Sequence, residues 1–293
     1  MICYWRSFME NKIILSADST CDLSEELKEK YDVNFYPFHV ILGEEQYRDG
    51  VDITPDEIYS IYKEKKILPK TAATGVGEYI AYFKKWTDQG YKVIHINIGS
   101  GLSSSYQSCC LAAKELSGKI YPIDSCSLSS GTGLLVIEAA KRIKAGIKAE
   151  KIQEEVSKLT EKVQASFVVD TLEFLHAGGR CSSVAALGAN LLRLKPSIEV
   201  DHRDGTMGVG KKYRGDLDKV LLQYVNDKLA PGVNVREGQA FITHSGISEE
   251  RICLVKKELE KLHHFENIYV TRASCTVSAH CGPNTLGVIF MIK

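Results

Sequence analysis

The chain has 293 residues, 44% hydrophobic and 25% charged, with 37 Lys and Arg balanced by 37 Asp and Glu. That is the composition of a globular protein with room for two domains of ordinary size. The zero net charge argues against nucleic acid as a partner, and no apolar run approaches the roughly 18 residues of a membrane span.

In chain order, "MICYWRSFMENK" has too short an apolar stretch for a signal peptide. It reads as a loose extension, with Met9 as an alternative start. "KIILSA" (12–17) is an apolar strand that ends in Asp18-Ser19-Thr20, and a helix follows from about Ser24. "VNFYPFHVIL" (33–42) reads as a second extended stretch. Thr54-Pro55-Asp56-Glu57 opens a helix, with Thr at the cap, Pro at the first helical position and Glu at the third. A helix is expected over 76–88, a strand at "KVIHINI" (92–98) and a helix over 103–116. "KIYPID" (119–124) is a strand, a long helix starts near Ser129, and 149–164 is amphipathic and helical. Strands separated by helices imply a mostly parallel sheet.

A second unit starts at residue 166, so the division is 10–165 and 166–293. "SFVVD" (166–170) is a strand, and "TLEFLHAGG" a short helix closed by glycine. "PSIEVDHRDGTMGVGKKY" (196–213) is a hairpin turning at Asp204-Gly205. A helix over about 216–228 precedes the strand "GQAFITHS", and Ser248 caps the helix "EERICLVKKELEKL". "NIYVTR" and "TLGVIFMI" are the last strands. A hairpin combined with strand–helix alternation predicts a mixed sheet. The whole is therefore α/β, with a mostly parallel first sheet and a mixed second one.

The nine cysteines are odd in number and include no C-x-x-C pair. Neither a zinc site nor a disulfide framework is indicated, and reduced thiols in a cytoplasmic protein are expected. Chemistry concentrates in a few loops. "NIGSGLSSSYQS" (97–108) follows a strand and opens a helix, where ligands of α/β sheets bind and helix N-termini favour anions. Thr71 and Thr74 precede another helix start, and Arg180 follows the glycine pair of "HAGGR". Arg is suited to bidentate anion contact. Lys211, Lys212 and Arg214 form a basic stretch whose plain reading is a solvated charge run. His280 is expected on a Gly-Pro turn ahead of the last strand.

Enzyme readings fit poorly. "GSGLSS" lacks the third glycine of a dinucleotide loop, although Asp124 ends the next strand at a tolerable distance. No G-x-S-x-G elbow marks a hydrolase nucleophile, and no phosphate-binding loop of the kinase type is present. Cys281 beside His280 does not by itself make a catalytic pair.

Several segments together resemble the DegV family of bacterial fatty-acid-binding proteins. They are "DSTCDLSEEL", "PKTAATG", "SGLSSSYQSC", "DTLEFLHAGGR", "LLRLKPSIEVDHRDG", "KKYRGDLDKV" and "SAHCGPNTLGV", in the family's order from about 12 to 292. The resemblance implies two α/β domains with one long-chain fatty acid between them and the acyl chain inside the second. It implies a non-catalytic protein that needs no cofactor or metal and presents its ligand to a fatty acid kinase. The acyl phosphate so formed would feed phospholipid synthesis, with transient membrane contact compatible with that role. It carries carboxylate contacts onto Thr71, Ser100 and His280, places Arg180 near the head group, and puts Arg214 on the partner-facing side. Two departures stand out: Ala72-Ala73-Thr74 replaces the usual Ser-Gln-Pro, and Ser104-Ser105 replaces Gly-Thr. Two other readings remain open: a nucleotide-using enzyme built on the 99–104 loop, and a binder of another hydrophobic acid.

Overall fold

A computed structural model describes residues 12–185 and 194–293. The first half forms β1 (Ile13–Asp18), β2 (Val33–Tyr36), β3 (His39–Leu42), β4 (Glu45–Arg48), β5 (Lys70–Ala72), β6 (Lys92–Asn97) and β7 (Ile120–Asp124). Four of these make a parallel sheet in the order β2-β1-β6-β7. Its central strand β6 buries Val93, Ile94 and Ile96 completely, as a strand covered on both faces must.

The stretch 33–42 is not one strand. β2 ends at Tyr36, and Pro37, which has no N–H to donate, follows it. β3 then joins a separate antiparallel sheet in the order β4-β3-β5. That small sheet sets Thr71 opposite Val40. The helix Pro55–Lys65 begins as the sequence predicts: Glu57 N–H donates to Thr54 Oγ1 at 3.3 Å, and Thr54 N–H donates to Glu57 Oε2 at 2.7 Å.

The second half adds β8 (Val163–Val168), β9 (Leu194–Val200), β10 (Met207–Arg214), β11 (Gln239–His244), β12 (Asn267–Arg272) and β13 (Leu286–Met291). They form one six-stranded sheet in the order β10-β9-β8-β13-β11-β12. Only β11 and β12 run parallel, so the sheet is mixed. The amphipathic stretch 149–164 is α-helical over Ala149–Leu159 and ends in a 3-10 turn over Thr160–Lys162, because β8 starts at Val163 and carries Val163 and Ala165 into the core. The β9–β10 turn uses Gly205 at φ +82°, as expected of Asp-Gly. Ser248 sits at the cap of the helix Glu249–Leu262, but its side chain accepts no capping hydrogen bond.

The helix Ser130–Lys144 buries every residue from Ser130 to Ala140. A helix buried all round belongs between layers. One core cluster joins Leu15 and Ile94 of the parallel sheet, Leu134 and Ile137 of this helix, and Ala165, Phe241 and Ile289 of the mixed sheet.

Candidate functional site

Strand β5 and the loop after β6 face the short helix Cys275–Cys281 across a cavity of about 60 Å³. Its walls are Phe38, Thr71, Ala72 and Ala73 on one side and Ile98, Leu102 and Ser103 on another. Arg180, Thr276, Val277 and His280 complete it. Leu128, Val277 and Cys281 also wall a second, narrower space of about 20 Å³. That space continues against the mixed sheet, past Phe167 and Gly287 to Ala165 and Ile289. The two spaces thus lie on either side of Leu128, Val277 and Cys281, the first edged by Thr71, Ser103 and His280 and the second walled largely by apolar residues.

His280 is not on a turn. It is the last but one residue of the helix Cys275–Cys281 and the only partly exposed one in it; Gly282 follows at φ +74°. The helix carries no polar face because it is buried nearly all round, so its sequence shows no amphipathic period. His280 Nε2 and Thr71 Oγ1 are 2.8 Å apart, which joins the edge strand β5 to the far end of the chain. Nδ1 is buried with no hydrogen-bond partner among the described residues. Burial, helped by the charge of Arg180, pushes the imidazole pKa down to about 4. The ring is therefore neutral at pH 7.

Gly178 explains half of the "HAGGR" glycine pair. A methyl there would overlap His280 Nδ1 and stand 3.1 Å from Cε1 and 3.2 Å from Cγ. Gly179 explains the other half, because it caps the helix Glu173–Gly178 at φ +66°. Arg180 is exposed at the cavity mouth, and its Nη1 donates to the Gly178 carbonyl at 2.8 Å.

The remaining expected residues are dispersed. Ser100 is half-buried, and its backbone N–H donates to Asp124 Oδ1 at 3.0 Å. It is not on the cavity wall; Ser103 is, with its hydroxyl 2.9 Å from Ser105 Oγ. Ser105 Oγ in turn accepts the Thr74 N–H at 3.1 Å, which ties the two hydroxyl-rich loops together. Arg214 lies at the exposed end of β10, away from the cavity, and its guanidinium pairs with no other described residue. Its neighbour Lys211 does pair, with Asp227 at 2.7 Å.

The 99–104 loop makes a poor nucleotide cradle. Gly101 N–H donates to the Asp204 carbonyl at 2.8 Å, and a methyl on Gly101 would meet that oxygen at 2.6 Å. Its glycines admit the β9–β10 turn rather than a pyrophosphate. Burial raises the Cys281 thiol far above its usual range, which removes it as a thiolate nucleophile. Among the described residues no His, Cys, Asp and Glu cluster could hold a metal, and no helix is long and apolar enough to cross a membrane.

The model of the DegV family matches residues 12–293. A DegV domain-containing protein of Clostridium perfringens is 34% identical over 284 residues, which covers 96% of this chain and 99% of that one. A DegV family protein of Thermus thermophilus, whose structure is described as one of fatty acid binding, superposes with a TM-score of 0.87 at 27% identity; the match covers 96% of this chain and 100% of that one. DegV of Bacillus subtilis, described as a fatty acid binding protein, gives 0.82 at 26%, covering 96% and 99%.

Proposed function

Because the chain belongs to the DegV family, we propose that it binds a long-chain fatty acid and presents it to a fatty acid kinase. The observation that carries the binding half is the Thr71–His280 pair on the wall of one cavity, with a second, apolar space beside it behind the shared residues Leu128, Val277 and Cys281. In this reading residues 10–165 supply the hydroxyl loops, and residues 166–293 enclose the acyl chain. Neutral His280 donates its Nε2–H to Thr71 Oγ1, leaving the threonine proton for a carboxylate oxygen. Ser103 is the second hydroxyl, with Ser100 behind it on the same loop, and Arg180 supplies the positive charge at the mouth. Burying about 14 methylenes gives about 11 kcal/mol gross, from which association costs are subtracted. The chain thus dominates affinity, and the head-group residues select an acid.

The presentation half rests on Arg214, exposed and without a partner among the described residues. Acyl phosphate formation by the kinase, feeding phospholipid synthesis, needs no cofactor from this chain. Both halves are tested by titrating labelled palmitate beside a reconstituted kinase assay. Thr71→Ala should weaken the acid about 10- to 150-fold and a fatty alcohol much less. Arg214→Ala should leave affinity within a few-fold and sharply lower acyl phosphate output. Loss of lipid binding in Arg214→Ala contradicts the partner-facing role. A wild type that ignores palmitate contradicts the binding half and leaves another hydrophobic acid as the ligand.

A further inference from the structure

The segment Asp18-Ser19-Thr20-Cys21-Asp22 contributes no residue to the cavity walls, yet it organises the helix that carries His280. Asp22 Oδ1 accepts the Ser274 N–H at 2.9 Å, and its Oδ2 accepts the Ser129 hydroxyl at 2.6 Å. Asp49 Oδ1 accepts the Cys275 N–H at 2.7 Å, and Oδ2 accepts the Thr276 N–H at 3.1 Å. Ser19 Oγ donates to the same Asp49 Oδ2 at 2.9 Å and accepts the Phe38 N–H at 3.2 Å. Ser274 Oγ accepts the Val277 N–H at 3.3 Å. All four N–H groups that begin the helix Cys275–Cys281 are therefore satisfied, three of them by carboxylates from the other end of the chain. Both carboxylates are only 4% exposed, and each lies near the positive end of the helix.

We propose that Ser19, Asp22 and Asp49 are positioning residues for His280: they fix the start of its helix so that the imidazole reaches Thr71. This rests on the fatty-acid reading of the cavity. His280 stands five residues beyond Cys275, about 7.5 Å along the axis at 1.5 Å per residue. A tilt of roughly 10° about the capped end moves it by about 1.3 Å, enough to break a 2.8 Å contact. The helix is held further along as well, where Tyr59 Oη donates to the Ser278 carbonyl at 3.2 Å. Losing the carboxylates should therefore tilt the helix rather than release it. Phe38 walls the cavity, so Ser19 ties one wall to the same anchor.

The test uses Asp49→Asn, which keeps the shape and sets an amide N–H₂ against backbone donors. Affinities for palmitate and for hexadecanol are measured with the wild type, together with the ring resonances of His280 and the melting temperature. The expected result is a wild type that prefers the acid. In the variant that preference should fall about tenfold, with the alcohol changed by less than about threefold and the His280 resonances shifted. A folded variant that keeps both the wild-type preference and the His280 resonances overturns the assignment, whatever its melting temperature. If Asp49→Asn does not fold, Ser19→Ala, which removes one of Asp49's three donors, is read in the same way. A wild type that binds acid and alcohol equally overturns the fatty-acid reading itself. That outcome is separate from a discriminating wild type with an unaffected variant, which refutes only the positioning role.

Discussion

Replacing Gly178 by alanine should damage the head-group site by displacing His280 while leaving the site's own side chains unsubstituted. The new methyl would overlap His280 Nδ1 and press on Cε1 at 3.1 Å, so the ring has to move by roughly 1 Å. The Thr71–His280 contact at 2.8 Å is then lost. Stability should fall by up to about 3 kcal/mol. Alanine gains up to about 1 kcal/mol of helix propensity over glycine at the end of the helix Glu173–Gly178, while overpacking costs about 1–3 kcal/mol. Binding should fall too, and selectively for the acid. A contact to a charged carboxylate contributes about 1.5–3 kcal/mol, so palmitate affinity should drop roughly 10- to 150-fold. Hexadecanol should lose little. Calorimetric titration with both ligands measures this, and Gly179→Ala is the control. Gly179 has nothing within 4 Å of an added methyl, so that variant pays backbone strain at φ +66° and leaves His280 alone. If Gly178→Ala binds palmitate like the wild type, His280 does not position the acid.

Three further outcomes are expected. Ser103→Ala should weaken palmitate several-fold more than Ser100→Ala in the same displacement assay, because only Ser103 lines the cavity; the reverse order would return the head-group role to Ser100. Burial holds His280 neutral in the folded protein down to about pH 4, against about 6.5 when unfolded, so its contribution to stability is present above pH 6.5 and is lost as pH falls towards 4. Urea melts should therefore show wild type losing up to about 3 kcal/mol relative to His280→Asn between pH 7 and pH 4, and parallel curves would place the imidazole in water. Ala165→Leu should fill the narrow passage beside Ile289 and weaken palmitate much more than decanoate; equal losses would mean that the chain lies elsewhere.

Local signals in the sequence carried most of the fold. The Thr54–Glu57 capping box, the Asp204-Gly205 turn and the apolar runs of β1, β6 and β13 all stand where their residue types put them. The three-stranded sheet was not legible. β4 is polar and mostly exposed, and β5 has only three residues, so neither shows an alternating pattern. Thr71 looked like a helix-capping residue for that reason, although it sits on an edge strand. The short helix around His280 was hidden by the opposite cause, since nearly complete burial leaves no polar face to give a period. Ser100 and Ser103 cannot be told apart from a run of hydroxyls; the backbone turn onto Asp124 separates them. The Asp22 and Asp49 anchors join groups 252 and 226 residues apart, and no local pattern encodes such a pairing.

The central claim is that a fatty acid occupies the space between Thr71 and Ile289. Native mass spectrometry of the protein as purified, with extraction and identification of whatever it carries, tests this most directly. The expected result is one long-chain fatty acid per chain, exchangeable with added palmitate and raising the melting temperature in excess ligand. Empty protein that gains no mass and no stability from palmitate or oleate would contradict it, as would a bound nucleotide in place of a lipid.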